Sequence, residues 1–458
     1  MCIRDSYNGY WKQFMPRFGF AWTPAALNNK MVVRGGYAYM SFMEGTGANL
    51  RLPLNPPFFT ESNITYDGLR PGSITTGFAD VVTTGVTLDM ARPPAAGINP
   101  QLQGRAWDPN LRPQTTQQIN LSVEYMFDKA TSLTAGYVGQ RGRHLVAPHE
   151  ANNPVAGTGP FNTWAPLDTR RPLYNLLPNV NNIALTEASA TMDYNSLQVS
   201  GRRRFAAGLE FLASYTFGKT LTDNAGYYGG GLTTSDGAYW QDAYCRTCNR
   251  GLAFYNVAHS FTVGGLYSLP WGTGRSHTFS NKGADLLLGG WGVNYFVNAR
   301  SGFPITVRAV DRSSRAPRGN VRANAYRDLV ATGPSTIDDY FGLFPAGGSR
   351  TTPFCAGGVD NGQCAYGQPA DGALGNAGIA TEQGPSYFNM DISIGKKFNI
   401  SERRYLDFRV EAFNLLNHAS WANPTTGNAS IQNVGTFGNI TAQVQSPRNI
   451  QFGLKYIF

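Results

Sequence analysis

The sequence predicts an all-β protein: an antiparallel transmembrane β-barrel, present in part as about eleven strands. Three observations predict it. The last eleven residues, 448–458, alternate: Ile450, Phe452, Leu454, Tyr456 and Phe458 fall on one face and Gln451, Gly453 and Lys455 on the other, with Ile457 the one lapse. Period 2 is the strand period, and about nine to eleven residues carry a tilted strand across a bilayer. The composition is the second observation: 53 Gly, 27 Phe, 23 Tyr and 8 Trp stand against only 15% charged residues, and no run of eighteen apolar residues offers a membrane-spanning helix. That balance fits a sheet that is greasy on one side and wet on the other. The third is rhythm. Strand-period segments come in pairs, with tight turns inside each pair and long connections between pairs.

Taken in order, the first strand begins near Phe14 and carries Phe18, Phe20 and Trp22 on one face. After a turn at 23–29, Met31, Val33, Tyr37 and Tyr39 form its return. Ile119, Leu121, Val123, Tyr125 and Phe127 alternate with Gln118, Asn120, Ser122 and Glu124, the cleanest amphipathic pattern in the chain. A turn at 128–130 leads into Leu133, Ala135 and Tyr137. The third pair descends through Leu197, Val199 and Gly201 to Phe205, turns at 206–208 and returns through Leu209, Phe211, Ala213, Tyr215 and Phe217. The fourth joins Phe261, Val263, Tyr267 and Leu269 to Trp291, Val293, Tyr295 and Val297 across a longer turn at 270–289. The fifth joins Phe388, Met390, Ile392 and Ile394 to Leu406, Phe408 and Val410 around 399–403, and the closing strand stands alone.

The connections between pairs cover roughly 41–113, 143–192, 222–256, 308–385 and 418–447. Structureless connections of that length are rare in compact domains. Alternation of short and long connections is what an outer-membrane barrel shows, with short turns on the periplasmic side and long loops outside. If the last strand ends in the periplasm, every short turn falls on that same side.

The net charge of +9 comes from basic residues scattered along the chain. A nucleic-acid binder gathers them beside a fold motif, so no nucleic-acid partner is expected. Arginines in loops and rims are expected to meet anionic lipid head groups, lipopolysaccharide included, or water. Cys245 and Cys248 form a CxxC and Cys355 and Cys364 lie nine apart, all in loops. Two local disulfides of an oxidising compartment are preferred to a four-cysteine zinc site, which would have to join two distant loops. The five histidines, His144, His149, His259, His277 and His418, have no metal-ligand spacing, and no nucleophile elbow occurs. No metal, no cofactor and no enzymatic activity are expected. No secretory signal opens the chain. Residues 1–6 fit no strand and read as a non-native prefix to a barrel domain of 7–458, whose earlier part is expected to be missing.

The segment YLDFRVEAFNLLNH, residues 405–418, carries Arg409, Glu411, Phe413, Asn414, Leu415 and Asn417. This run resembles the penultimate strand of TonB-dependent outer-membrane receptors. The Gly/Asn-rich loop with Phe437-Gly438, the Pro447-Arg448 pair and the terminal aromatic Phe458 are similar to the closing segment of the Oar-like group. The resemblance implies a barrel of about twenty-two strands, of which this chain would supply about strands 12–22. It further implies a bacterial outer-membrane location and insertion by the barrel-assembly machinery, which reads the terminal Phe458. An N-terminal plug and a TonB box would contact the TonB complex, and both belong to the missing part.

Candidate ligand contacts lie in the long loops. Tyr227, Tyr228, Tyr239, Trp240 and Tyr244 crowd one loop, and aromatic faces stack on sugar rings or other apolar surfaces; a self-packed loop or an interfacial girdle is the competing explanation. Arg308, Arg312, Arg315, Arg318, Arg322 and Arg327 make the next loop basic, suited to an anion or lipopolysaccharide, against a merely solvated loop. Asp407, Arg409 and Glu411 share one face of the penultimate strand, where an internal salt-bridge ladder is favoured over contact with a plug. Arg202, Arg203 and Arg204 close a strand at a short turn, where they are expected to snorkel to the interface. The function expected is energised uptake, or surface binding, of an unidentified ligand. A passive porin-like or structural barrel is the alternative, and a soluble β-sandwich adhesin a further one.

Overall fold

In a computed structural model the structure describes residues 8–42, 91, 102–224, 240–316, 321–343, 354–355, 358–401 and 403–458. Eleven long strands form one meander: β1 (Arg17–Trp22), β2 (Met31–Phe42), β3 (Gln114–Met126), β4 (Thr131–Glu150), β5 (Val180–Ala206), β6 (Leu209–Thr222), β7 (His259–Ser268), β8 (Gly292–Arg300), β9 (Tyr387–Asn399), β10 (Tyr405–Phe413) and β11 (Asn449–Ile457). Each pairs antiparallel with the next. All eleven expected strands are present. The first begins at Arg17 rather than near Phe14.

The short turns have local causes. Between β5 and β6 only Ala207 and Gly208 intervene, both at positive φ (+50° and +81°), the two-residue turn whose twist matches a hairpin. Between β3 and β4 the Asp128 carboxylate accepts from the backbone N–H of Ala130 (2.6 Å) and Thr131 (2.8 Å). Between β7 and β8 the turn holds a short helix, α1 (Lys282–Leu288), whose N-cap Asn281 accepts from Gly283 N (2.7 Å) and Ala284 N (3.2 Å).

Register lines up the apolar residues of every strand on one face. Trp22 opposes Val33, which opposes Val123; the row continues through Ala135, Val199, Tyr215, Phe261 and Ala299 to Phe388. Ile394 opposes Val410, and Val410 opposes Phe452. The other face is polar: Ser122 lies across from Arg34, Ser200 from Ser214, Thr262 from Asn298, and Glu411 from Gln451. Leu212 and Phe296, either side of Gly264, interrupt that polar face. Neither face is sealed: on the apolar face Phe452 is 75% and Leu454 70% exposed, and on the polar face Asn120 is exposed. A sandwich would bury one face; this sheet buries neither, so its apolar side needs a lipid solvent. The sheet is open, with β1 and β11 as its edges.

One expectation is corrected. The stretch 143–192 is not a structureless connection: β4 runs 20 residues and β5 runs 27. Both continue well past the register of a bilayer crossing as a ribbon, and Leu102–Trp107 joins β5 in parallel. Leu102, Val180 and Ile183 are buried there together. With both faces packed, the ribbon loses the one-sided alternation that marks the membrane strands.

Apolar clusters of fully buried side chains lie among the loops. Val307, Ala323, Leu343, Phe354, Ala365, Tyr366, Ala377, Ile431 and Phe437 form a core drawn wholly from the two connections that follow β8 and β10. The described parts of these two long connections are therefore a folded body.

Candidate functional site

Four connections interlock at the long-loop end: 151–179, 223–258, 301–386 and 414–448. Asn153 Nδ2 donates to the carbonyl of Arg315, and the Tyr244 hydroxyl donates to the carbonyl of Asn153. Gln241 Nε2 donates to Gly375 O (2.8 Å), while its Oε1 accepts from Arg322 N (2.5 Å). Arg308 N donates to Ala429 O and Ile431 N to Arg308 O, each at 2.9 Å, stitching the last loop to the one before. Cys245 is bonded to Cys248 and Cys355 to Cys364. The first disulfide holds the turn from which Asn249 donates to Asp242 O and Cys245 O.

Between these loops lies a cleft of about 400 Å³. Trp240, Phe254, Ile305, Ile379 and Ala422 give it apolar walls, Thr222, Thr306, Thr425 and Thr441 line it with hydroxyl-bearing side chains, and Arg308 and Arg322 supply positive charge. No acidic residue lines it among the described residues. Arg322 is only 6% exposed. Its guanidinium donates to Ala377 O (2.7 Å), Asn249 Oδ1 (3.1 Å) and Cys248 O (3.0 Å). Burial pulls its pKa down to about 10.

The residues singled out in the sequence fall in three places. Trp240 is on the cleft wall; its Nε1 donates to Asp223 O (2.6 Å) and its ring packs on His149 at 5.7 Å. Tyr244 stands apart, half exposed and tied to Asn153, its phenol pushed up to about 12 by burial and by the nearby Glu150 and Asp242 charges. Tyr227, Tyr228, Tyr239 and Arg318 lie outside the described residues. Of the other loop arginines, Arg312 is exposed, Arg315 faces Asp242 at 3.6 Å and Arg327 grips both oxygens of Asp360 at 2.8 and 3.0 Å. That pairing, with the backbone N–H of Gly362, holds Asp360 below its ordinary range. The basic stretch is thus partly neutralised, with Arg308 and Arg322 at the cleft. The cleft itself was not foreseen; its walls come from three connections that only folding brings together.

The closing motif works structurally. Arg409 faces Glu411 at 3.7 Å, and Gln451 Nε2 donates to Glu411 Oε2 at 2.5 Å, a short polar ladder on the wet face. Asn414 and Asn417 both stand at positive φ (+50° and +49°), which Asn tolerates better than most residues. Asn414 Nδ2 donates to His418 O (2.9 Å) and Ser446 O (3.1 Å), its Oδ1 accepts from His418 N (2.9 Å), and Asn417 Oδ1 accepts from Arg448 N (3.0 Å). The two asparagines thus end β10 and aim the chain into β11. Phe413 is 44% and Phe458 91% exposed, so neither belongs to a buried core.

Above the apolar band, on the same face as Tyr137 and Leu197, Asp193 gathers three guanidinium groups: Arg141 and Arg143 each at 2.9 Å, and Arg250. Three cations on one carboxylate leave an excess of positive charge just beyond the greasy belt.

A meander of amphipathic strands with an unsealed apolar face, short turns at one end and folded loops at the other defines a membrane β-barrel. Residues 3–451 match the model of the outer membrane beta barrel domain, and the chain belongs to that family; it is a protein of the bacterial outer membrane. Solved structures similar to it include the outer membrane transporter YddB from Escherichia coli (9% identity, TM-score 0.42, 97% of this chain and 40% of that one). The ferric-catecholate import receptor Fiu from E. coli K12 is another (11%, 0.38, 96% and 34%), and the FrpB iron transporter from Neisseria meningitidis a third (10%, 0.39, 97% and 38%). The chain spans about two fifths or less of their lengths. No curated protein matches it.

Proposed function

We propose that this chain is the C-terminal barrel portion of a TonB-energised outer-membrane receptor that takes up an unidentified ligand captured by its outer loops. The observation that carries the reading is the interlocked loop assembly with its cleft, set at one end of a meander whose other end has tight turns. A passive pore needs no folded, disulfide-bonded loop body around a lined cleft. The closing motif, with its resemblance to TonB-dependent receptors, supports the same reading. In it, plug and TonB box lie upstream, Phe458 is read by the barrel-assembly machinery, and the Asp193 arginine cluster meets lipopolysaccharide phosphates. The runner-up is a porin-like or structural barrel. Planar-bilayer recording on the complete gene product separates them. A plugged receptor stays electrically silent until the plug is unfolded by denaturant; steady conductance without denaturant overturns the receptor reading.

A further inference from the structure

We propose that the loop cleft binds an organic acid, its carboxylate paired with the Arg322 guanidinium and its apolar body lying against Trp240, Phe254 and Ile305. The inference deepens the receptor reading and rests on its assignment of the loops as the ligand-receiving face.

Charge is the first argument. A guanidinium carries five N–H donors in a planar fork. Arg322 uses three of them, on two carbonyls and one side-chain amide oxygen, all neutral. No carboxylate lies within ion-pair distance of it among the described residues, and burial is the whole cause of its lowered pKa. A cation held away from water with only neutral partners is costly to the folded protein. Arg308 lines the same cleft, and among the described residues no acidic side chain does. A ligand carboxylate supplies the missing charge, and its two oxygens fit the fork of a guanidinium.

Shape is the second. A cleft of about 400 Å³ falls within the range of small-molecule sites, which are mostly apolar with a few placed polar groups. Inorganic phosphate or sulfate would leave the aromatic and aliphatic walls uncovered. An acid with a ring or short alkyl body covers them, and threonine hydroxyls along the wall accommodate further polar substituents.

A purely structural role, in which Arg322 only ties the loops together, predicts no preference for charge. The test is isothermal titration of the complete protein in detergent with 2-naphthoate and its uncharged counterpart 2-naphthamide. The expected result is at least tenfold tighter binding of the acid. Arg322→Gln should abolish the preference, whereas Lys129→Gln, in a turn at the far end of the sheet, should keep it. Should Arg322→Gln disturb the loops, Thr441→Trp serves instead: it fills the cleft, leaves the Arg322 hydrogen bonds in place and should remove binding of the acid. Equal affinity for acid and amide, no binding of either, or a preference that survives these cleft substitutions overturns the proposal. Titration needs neither plug nor energy. A conducting barrel that still prefers the acid would therefore sink the uptake reading and leave this site standing.

Discussion

Asn414 ties the end of β10, the connection that follows it and a side chain of β9 together at one position. It stands at positive φ, is 4% exposed, and satisfies the carbonyls of His418 and Ser446 and the N–H of His418; its own N–H donates to Asp391 Oδ1 on the neighbouring strand (2.8 Å). Asn414→Ala keeps the backbone bond, loses the other three and places alanine in the left-handed region. The expected cost is about 2–4 kcal/mol, read as a lowered denaturant midpoint for refolded protein in micelles. The motif residue was visible in the sequence; its job was not, because both carbonyls it serves come from later in the chain. Asp360 supplies a pH handle. Its pKa is depressed by Arg327 and by the Gly362 N–H. A depressed carboxylate stabilises the fold above its ordinary value of 3.8, and that contribution fades as pH falls through the depressed value. The protection factors of the Gly362–Cys364 amides, exchange rates divided by the base-catalysed rate of the free chain at each pH, should therefore fall below about pH 3.8 and stay constant between 5 and 8, whereas Asp360→Asn should show the lower protection throughout.

Among elements, the membrane strands were legible and the loop bodies were not, for a physical reason. A strand between lipid and water has one face of each kind, so its residues alternate visibly. The ribbon of β4 and β5 and the loop core around Phe437 bury side chains from many directions and leave no period. β11 shows what the legible kind implies. Leu454 sits mid-strand on the apolar face and opposes Phe408; Gln451 sits on the polar face and opposes Glu411. Leu454→Arg should cost about 2–4 kcal/mol in a bilayer, and Gln451→Arg, beside Glu411, far less; liposome folding titrations would compare them. The helix α1 makes a different case. Leu286, Leu287 and Leu288 are 58%, 67% and 58% exposed, and Lys396 Nζ donates to the Asp285 and Leu286 carbonyls at the helix's end (3.3 and 2.6 Å). Trp291 follows on the apolar side of β8, its ring edge-on to Phe408 at 6.2 Å. The triad thus extends the greasy belt at the short-turn rim, where tryptophan favours the interface. Leu286→Glu with Leu287→Glu should leave the sheet folded, by circular dichroism, but expose α1 to a water-soluble quencher that cannot reach Trp291 in the parent.

At the scale of the whole molecule, the buried apolar clusters sit among the loops while the sheet that holds the loops up is exposed on both sides. Stability is therefore divided between two solvents. The loop body is held by ordinary burial and by two disulfides, and the sheet is held by lipid. Detergent removal should melt the second before the first. The direction of the strands has a quieter consequence. Ten antiparallel steps separate β1 from β11, so the two borders of the sheet travel the same way through the membrane. A chain that curled until they touched, or two chains laid border to border, would meet like-directed at the junction and break the up-down alternation. Only an intervening stretch with an odd number of crossings restores it, so a sheet of these eleven strands is by arithmetic unable to finish a regular up-and-down cylinder from its own kind alone.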